Sequence, residues 1–104
     1  MENNKISSLI QNWIDFSNKK IKLTKRREDL IDKVLQNISE EDALLILEYI
    51  FTSDDGYACY MRENNYTSIE NIFRLTKLDD KLQKAIEWNR ANELPDDDFG
   101  WDIK

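Results

Sequence analysis

The sequence predicts an all-α fold: a compact bundle of five or six short helices over residues 1–94, followed by an acidic C-terminal tail over residues 95–104. Three observations predict it. Two glycines and one proline among 104 residues leave few chain breakers. Apolar residues recur at the i, i+3, i+4 spacing that places them on one helix face. Good N-cap residues, Thr24 and Ser39 among them, stand just ahead of these apolar runs. The length fits one domain, and a composition 40% hydrophobic and 35% charged fits a folded chain with a polar surface.

The elements follow in order. Ile6, Leu9, Ile10, Trp13 and Ile14 share one face of a first helix ending near Asn18. Thr24 caps a second, which carries Leu30, Ile31, Val34, Leu35 and Ile38, with Glu28 and Asp29 near its positive N-terminal end. Ser39-Glu40-Glu41-Asp42 opens a third helix as a capping box with a shorter acid. Its run Ala43-Leu44-Leu45-Ile46-Leu47, extended by Tyr49, Ile50 and Phe51, is apolar nearly all round, which marks the central helix of the bundle. Thr52–Gly56 is a polar break. Tyr57–Arg62 fits either a short helix or an extended aromatic segment. Thr67-Ser68-Ile69-Glu70 matches a capping box and opens a short helix with Ile69, Ile72, Phe73 and Leu75. The chain restarts at Thr76-Lys77-Leu78-Asp79. The last helix carries Leu78, Leu82, Ala85, Ile86 and Leu94 on its apolar side, with Lys77, Lys81 and Lys84 on other faces, until Pro95 ends it.

Composition removes several function classes. The longest strictly apolar run, Ala43–Leu47, is far short of the roughly 20 residues a bilayer requires. The opening Met-Glu-Asn-Asn lacks the basic and apolar pattern of an export signal, and a single cysteine, Cys59, fits a reducing compartment, so a cytoplasmic location is expected. The absence of histidine removes the commonest metal ligand and general base. Six serines, Ser7, Ser8, Ser17, Ser39, Ser53 and Ser68, have no imidazole to activate them. Gly56 and Gly100 cannot build a phosphate-cradling glycine loop. Adjacent carboxylates such as Asp54-Asp55 and Asp79-Asp80 read as turn and cap residues. No cofactor or metal is expected, and the balance points to a binding protein instead of an enzyme.

The net charge of −6 is unevenly placed. Lys19, Lys20, Lys22, Lys25, Arg26 and Arg27 follow one another without an acid, whereas residues 34–61 hold acids and no base. The basic run reads either as a phosphate-contacting surface, whose binding would fall steeply with salt, or as a solvated loop balancing the acidic helix beyond it. Tyr57, Tyr60 and Tyr66, near Arg62, suit base stacking, a protein contact or the edge of the core. Trp13 belongs to the core, and Trp88 lies off the apolar stripe, partly exposed. In the tail, Asp96, Asp97 and Asp98 precede alternating Phe99, Trp101 and Ile103. This pattern fits a docking peptide for strand addition or an apolar groove on a basic partner, or aromatics folding back on the bundle.

Several of these residues resemble, in order, the C-terminal domain of phage replication proteins, the replisome-organiser or primosome type related to DnaD. The resemblance rests on Trp13, on Lys22-Leu23-Thr24 with Arg27 and Ile31, and on the apolar and acidic stretch Glu41–Ile50. Ser53, Tyr66, Ile72-Phe73-Arg74 and Lys77-Leu78-Asp79 complete it. It covers residues 6–90. The family's Tyr-x-x-x-Ile-x-x-x-Trp helix is not kept, since Asp80 and Lys84 stand in the Tyr and Ile places ahead of Trp88. The resemblance implies DNA and helicase-loader contacts. The expected function is a non-catalytic replication accessory module. It would use the basic run on nucleic acid or an acidic partner, and the tail with Tyr57 and Tyr60 on a protein. The competing expectation is a small acidic phage or mobile-element inhibitor of a host nucleic-acid enzyme, of the anti-defence kind, to which acids grouped at 40–55 and 96–102 are suited.

Overall fold

A computed structural model of the chain describes the backbone of residues 2–93 and the side chains of residues 5–91. Leu94, Pro95 and the tail residues Asp96, Asp97, Asp98, Phe99, Trp101 and Ile103 lie outside the described residues. Six α-helices, with no strand among the described residues, bear out the all-α bundle. They are α1 (Glu2–Ser17), α2 (Lys25–Asn37), α3 (Glu40–Thr52), α4 (Gly56–Glu63), α5 (Ile69–Ile72) and α6 (Leu78–Glu93). A 3-10 turn, Leu75–Lys77, runs directly into α6.

Local chemistry explains the helix ends. Asn18 takes the left-handed conformation (φ 59°) and turns its amide onto Ile14 O at 2.8 Å, closing α1; asparagine visits this region at low cost. Thr24 and Ser39 cap α2 and α3 as the sequence predicts, their hydroxyls accepting from the amides of Arg27 and Asp42. The open question at Tyr57–Arg62 is resolved as helix. Asn65 (φ 60°) ends α4 in a Schellman arrangement, with Tyr66 N on Met61 O and Asn65 N on Arg62 O. The cap of α5 is Ser68, one residue later than the capping-box reading places it, and its hydroxyl accepts from Asn71 N. Leu75 falls in the 3-10 turn, where it is exposed.

Helix α3 is the hub. It packs against each of the other five helices and buries Ala43, Ile46, Leu47, Tyr49 and Ile50. Around it lie Ile6, Leu9, Ile10 and Trp13 of α1, Ile31 and Val34 of α2, Ile69 and Ile72 of α5, and Leu78 and Ala85 of α6. Two polar side chains lock this core. Trp13 donates its indole N–H to Thr67 O at 2.8 Å, tying α1 to the loop between α4 and α5. Arg62 donates Nη1 to Ile50 O at 2.8 Å and Nη2 to Ser53 O at 2.7 Å. These carbonyls belong to the C-terminal end of α3, which has no basic residue in its own last turn. The guanidinium therefore satisfies otherwise orphaned acceptors at the negative end of the helix dipole.

Replacing Arg62 by Ala leaves these half-buried carbonyls without their donor, and charge-assisted bonds of this kind contribute about 1.5–3 kcal/mol. Urea unfolding of Arg62→Ala should show a loss of about 2–3 kcal/mol. A loss no larger than that of an exposed control such as Arg90→Ala would mean that solvent caps α3 equally well.

Candidate functional site

The basic run spans the loop between α1 and α2 and the first turn of α2. Half-buried Ile21 packs on the core and anchors the loop, leaving Lys19, Lys20 and Lys22 exposed on either side. Lys25 and Arg26 are exposed at the start of α2. Lys25 sits 3.5 Å from Asp29 in a solvent-facing pair, which binds it weakly. Arg27 differs from the others. Its Nε donates to Glu70 Oε2 at 2.8 Å and its Nη1 to Lys22 O at 3.0 Å, so it braces the basic loop against α5. Burial alone would raise the Glu70 carboxyl, but Glu70's own backbone amide and Arg27 outweigh it and hold the group below its usual range.

The tyrosines do not form one cluster. Tyr60 and Tyr66, both exposed, meet edge to face at 5.7 Å. Tyr57 is half-buried, with Lys84 Nζ over its ring at 5.3 Å from the centroid. Arg62 is committed to α3 and takes no part. Asp55 accepts a hydrogen bond from the buried Tyr49 hydroxyl at 2.5 Å, and Cys59 is half-buried beside Arg62. Among the described residues no group of three histidine, cysteine, aspartate or glutamate side chains is placed to hold a metal ion, and no helix is long and apolar enough to cross a membrane.

A second group of cations lies where α4, α5 and α6 meet. An open cleft of about 380 Å³ is lined by Tyr57, Met61, Tyr66, Asn71, Arg74, Lys77 and Lys81. The sequence reading puts Lys81 on a face away from the core, and the structure corrects this: Lys81 is only 2% exposed. Its ammonium donates to Asn71 O at 2.5 Å, the exposed carbonyl end of the four-residue helix α5, so one of its three N–H donors pins α5 to α6. Burial pushes the Lys81 amine down from 10.5 to about 8. Neighbouring Arg74 and Lys77 push it the same way, with Asp80 opposing. Asp80 is itself paired with Lys84 at 3.5 Å. Arg74 donates to Asn71 Oδ1, and among the described residues neither it nor Lys77 is recorded in a salt bridge.

The two cation groups are joined by a line of hollows. One of about 160 Å³ holds Lys19, Ile21, Arg27 and Glu70. The next, about 280 Å³, holds Glu70 again with Arg26, Leu30, Arg74 and Leu75. The third is the Arg74–Lys77–Lys81 cleft. Glu70 lines both the first hollow and the second, and Arg74 both the second and the third, so the three are neighbours on the surface, with the Glu70 carboxylate between the first two. Sequence reasoning found the first half and missed the second. The three come together because the 3-10 turn carries Arg74 and Lys77 over the start of α6, where Lys81 turns back onto Asn71 O, and no local pattern announces that arrangement. No family model, curated protein or solved structure matches the chain.

The depressed Lys81 fixes the sign of a pH effect. Between about pH 8 and 10 the unfolded chain keeps a proton that the folded chain has released, so stability rises with pH. Above about pH 10 the trend reverses, because burial holds Tyr49 and Tyr57 protonated in the folded state while the unfolded tyrosines ionise. The thermal midpoint should therefore climb from pH 8 to a maximum near 10 and then fall. Lys81→Met should remove the climb and leave the fall. A flat wild-type profile across this range contradicts the burial of a charged Lys81.

Proposed function

We propose that the protein is a non-catalytic binding module of the replication-accessory type that lays a single nucleic-acid strand along the track of hollows. The observation that carries this reading is the joining of two cation groups through shared linings. Lys19 lines the first hollow, with Lys20 and Lys22 exposed on the same loop, Arg26 lines the second, and Arg74, Lys77 and Lys81 line the third with Tyr57 and Tyr66. Phosphates supply affinity along such a surface, and aromatic faces accept bases without reading their sequence. A net acidic protein that groups several cations in this way is suited to a polyanion despite its overall charge of −6. The segment Asp96–Trp101, outside the described residues, is read from its sequence as the protein-docking element, and Tyr60, 52% exposed, is available to the same partner.

The logarithm of the affinity for a single-stranded oligothymidine should fall linearly with the logarithm of salt concentration, with about 0.7 of slope for each phosphate neutralised. The triple variant Lys19→Ala, Lys22→Ala, Arg26→Ala should reduce that slope by about 2 while leaving the thermal midpoint within a few degrees. Calorimetric titration at three salt concentrations measures this. Unchanged affinity and slope in the triple variant would remove the basic run from the interface. Undetectable binding by the wild-type protein at low salt would favour the inhibitor reading, in which a host enzyme is the partner.

A further inference from the structure

We infer that the Arg74–Lys77–Lys81 cleft is a receptor for a terminal phosphate monoester on a nucleotide, with the attached base against Tyr66 or Tyr57. The inference rests on the nucleic-acid reading above and adds to it which part of the ligand this end of the track takes. Three cations converge on one hollow, and one of them, Lys81, is almost wholly buried with a single hydrogen bond recorded among the described residues. An ammonium removed from water wants all three donors engaged, and Asn71 O takes one. One acid, Asp80, is recorded acting on Lys81, against two cations, Arg74 and Lys77, and Asp80 also pairs with Lys84. The hollow therefore presents more positive charge than its surroundings neutralise.

The chemistry separates a terminal phosphate from an internal one. A phosphodiester within a strand carries one negative charge and two free oxygens. A monoester carries between one and a half and two charges at neutral pH and three free oxygens. Three converging cationic groups match the second, and arginine with lysine supplies both a forked and a point-charge partner for it. A volume of about 380 Å³ is within the range of small-ligand sites and leaves room for more than the phosphate alone. Tyr57 has Lys84 above its ring, while Tyr66 lines the cleft and is 43% exposed, so aromatic surface is accessible there for a base. The same chemistry belongs to a free nucleoside monophosphate and to the phosphorylated end of a strand.

The test is calorimetric titration of the full chain at one ionic strength with four probes: a ten-residue oligothymidine ending in hydroxyls, the same oligomer phosphorylated at its 5′ or its 3′ end, and thymidine 5′-monophosphate alone. One phosphorylated oligomer should bind about tenfold tighter than the hydroxyl form, a difference of about 1.4 kcal/mol. Lys77→Ala, at an exposed position, should abolish the preference without loss of fold. The Lys19, Lys22, Arg26 triple variant should weaken all oligomers and keep the preference. Equal binding of all three oligomers overturns the terminal-phosphate site and leaves the strand reading intact. Binding of thymidine 5′-monophosphate that is lost in Lys77→Ala, with no oligomer bound, supports the site and overturns the strand reading. Binding of none of the four overturns both.

Discussion

Helix α3 leaves only the strip of Glu41, Glu48 and Thr52 exposed to solvent, and the rest of the molecule is arranged by that constraint. Its broad apolar surface must be covered, which takes all five other helices. Covering it also brings its ends under other elements, where backbone groups need partners. Ser39 supplies the N-terminal partner locally. The C-terminal partner comes from Arg62, on the far side of the Thr52–Gly56 break, so the chain must turn back at once and form α4 against the end of α3. The Tyr49 hydroxyl, buried on α3, reaches Asp55 at the same turn and reinforces it.

Once α4 is fixed in this way, the short segments that follow have little room to wander. Ser68 starts α5, which lasts four residues, and its carbonyl end meets α6. Lys81 satisfies that end. The amine is held there, beside Arg74 and Lys77, because an apolar side chain of the same length would leave the Asn71 carbonyl without its donor. The cation that pins α5 to α6 is also the floor of the cleft, and fold and candidate site therefore share one side chain. Arg27 plays the corresponding double part at the other end of the track: it belongs to the basic run by sequence, and its hydrogen bonds to Glu70 and Lys22 O hold the exposed lysines in place.

The architecture was legible because it is written in local patterns. The central helix is a run of apolar residues, the caps at Thr24 and Ser39 are short-range, and Trp13 sits on an unbroken apolar stripe. What escaped the sequence depends on contacts far along the chain. Arg62 looked like a companion of the tyrosines because its true partners, the carbonyls of Ile50 and Ser53, are backbone atoms with no signature in the sequence. The helix at Tyr57–Arg62 has no glycine after it, and Asn65 supplies the left-handed residue in its place. Lys81 was assigned to an outer face because lysine is seldom buried; the pairing that buries it depends on where α5 ends. The basic run was visible as composition, but the division of labour within it, five exposed cations and one brace, appears only when Glu70 comes alongside.

The side chain on which both the packing and the cleft depend can be followed directly. Titration of the Lys81 ammonium by carbon-detected NMR of selectively labelled protein reports its proton affinity without reference to stability or ligand. A midpoint near 8 is predicted for the free protein, moving upward when a phosphate monoester is added, because the ligand favours the protonated amine. A midpoint near the ordinary lysine value of 10.5, unmoved by the ligand, would contradict both the burial of the charge and its role in the cleft.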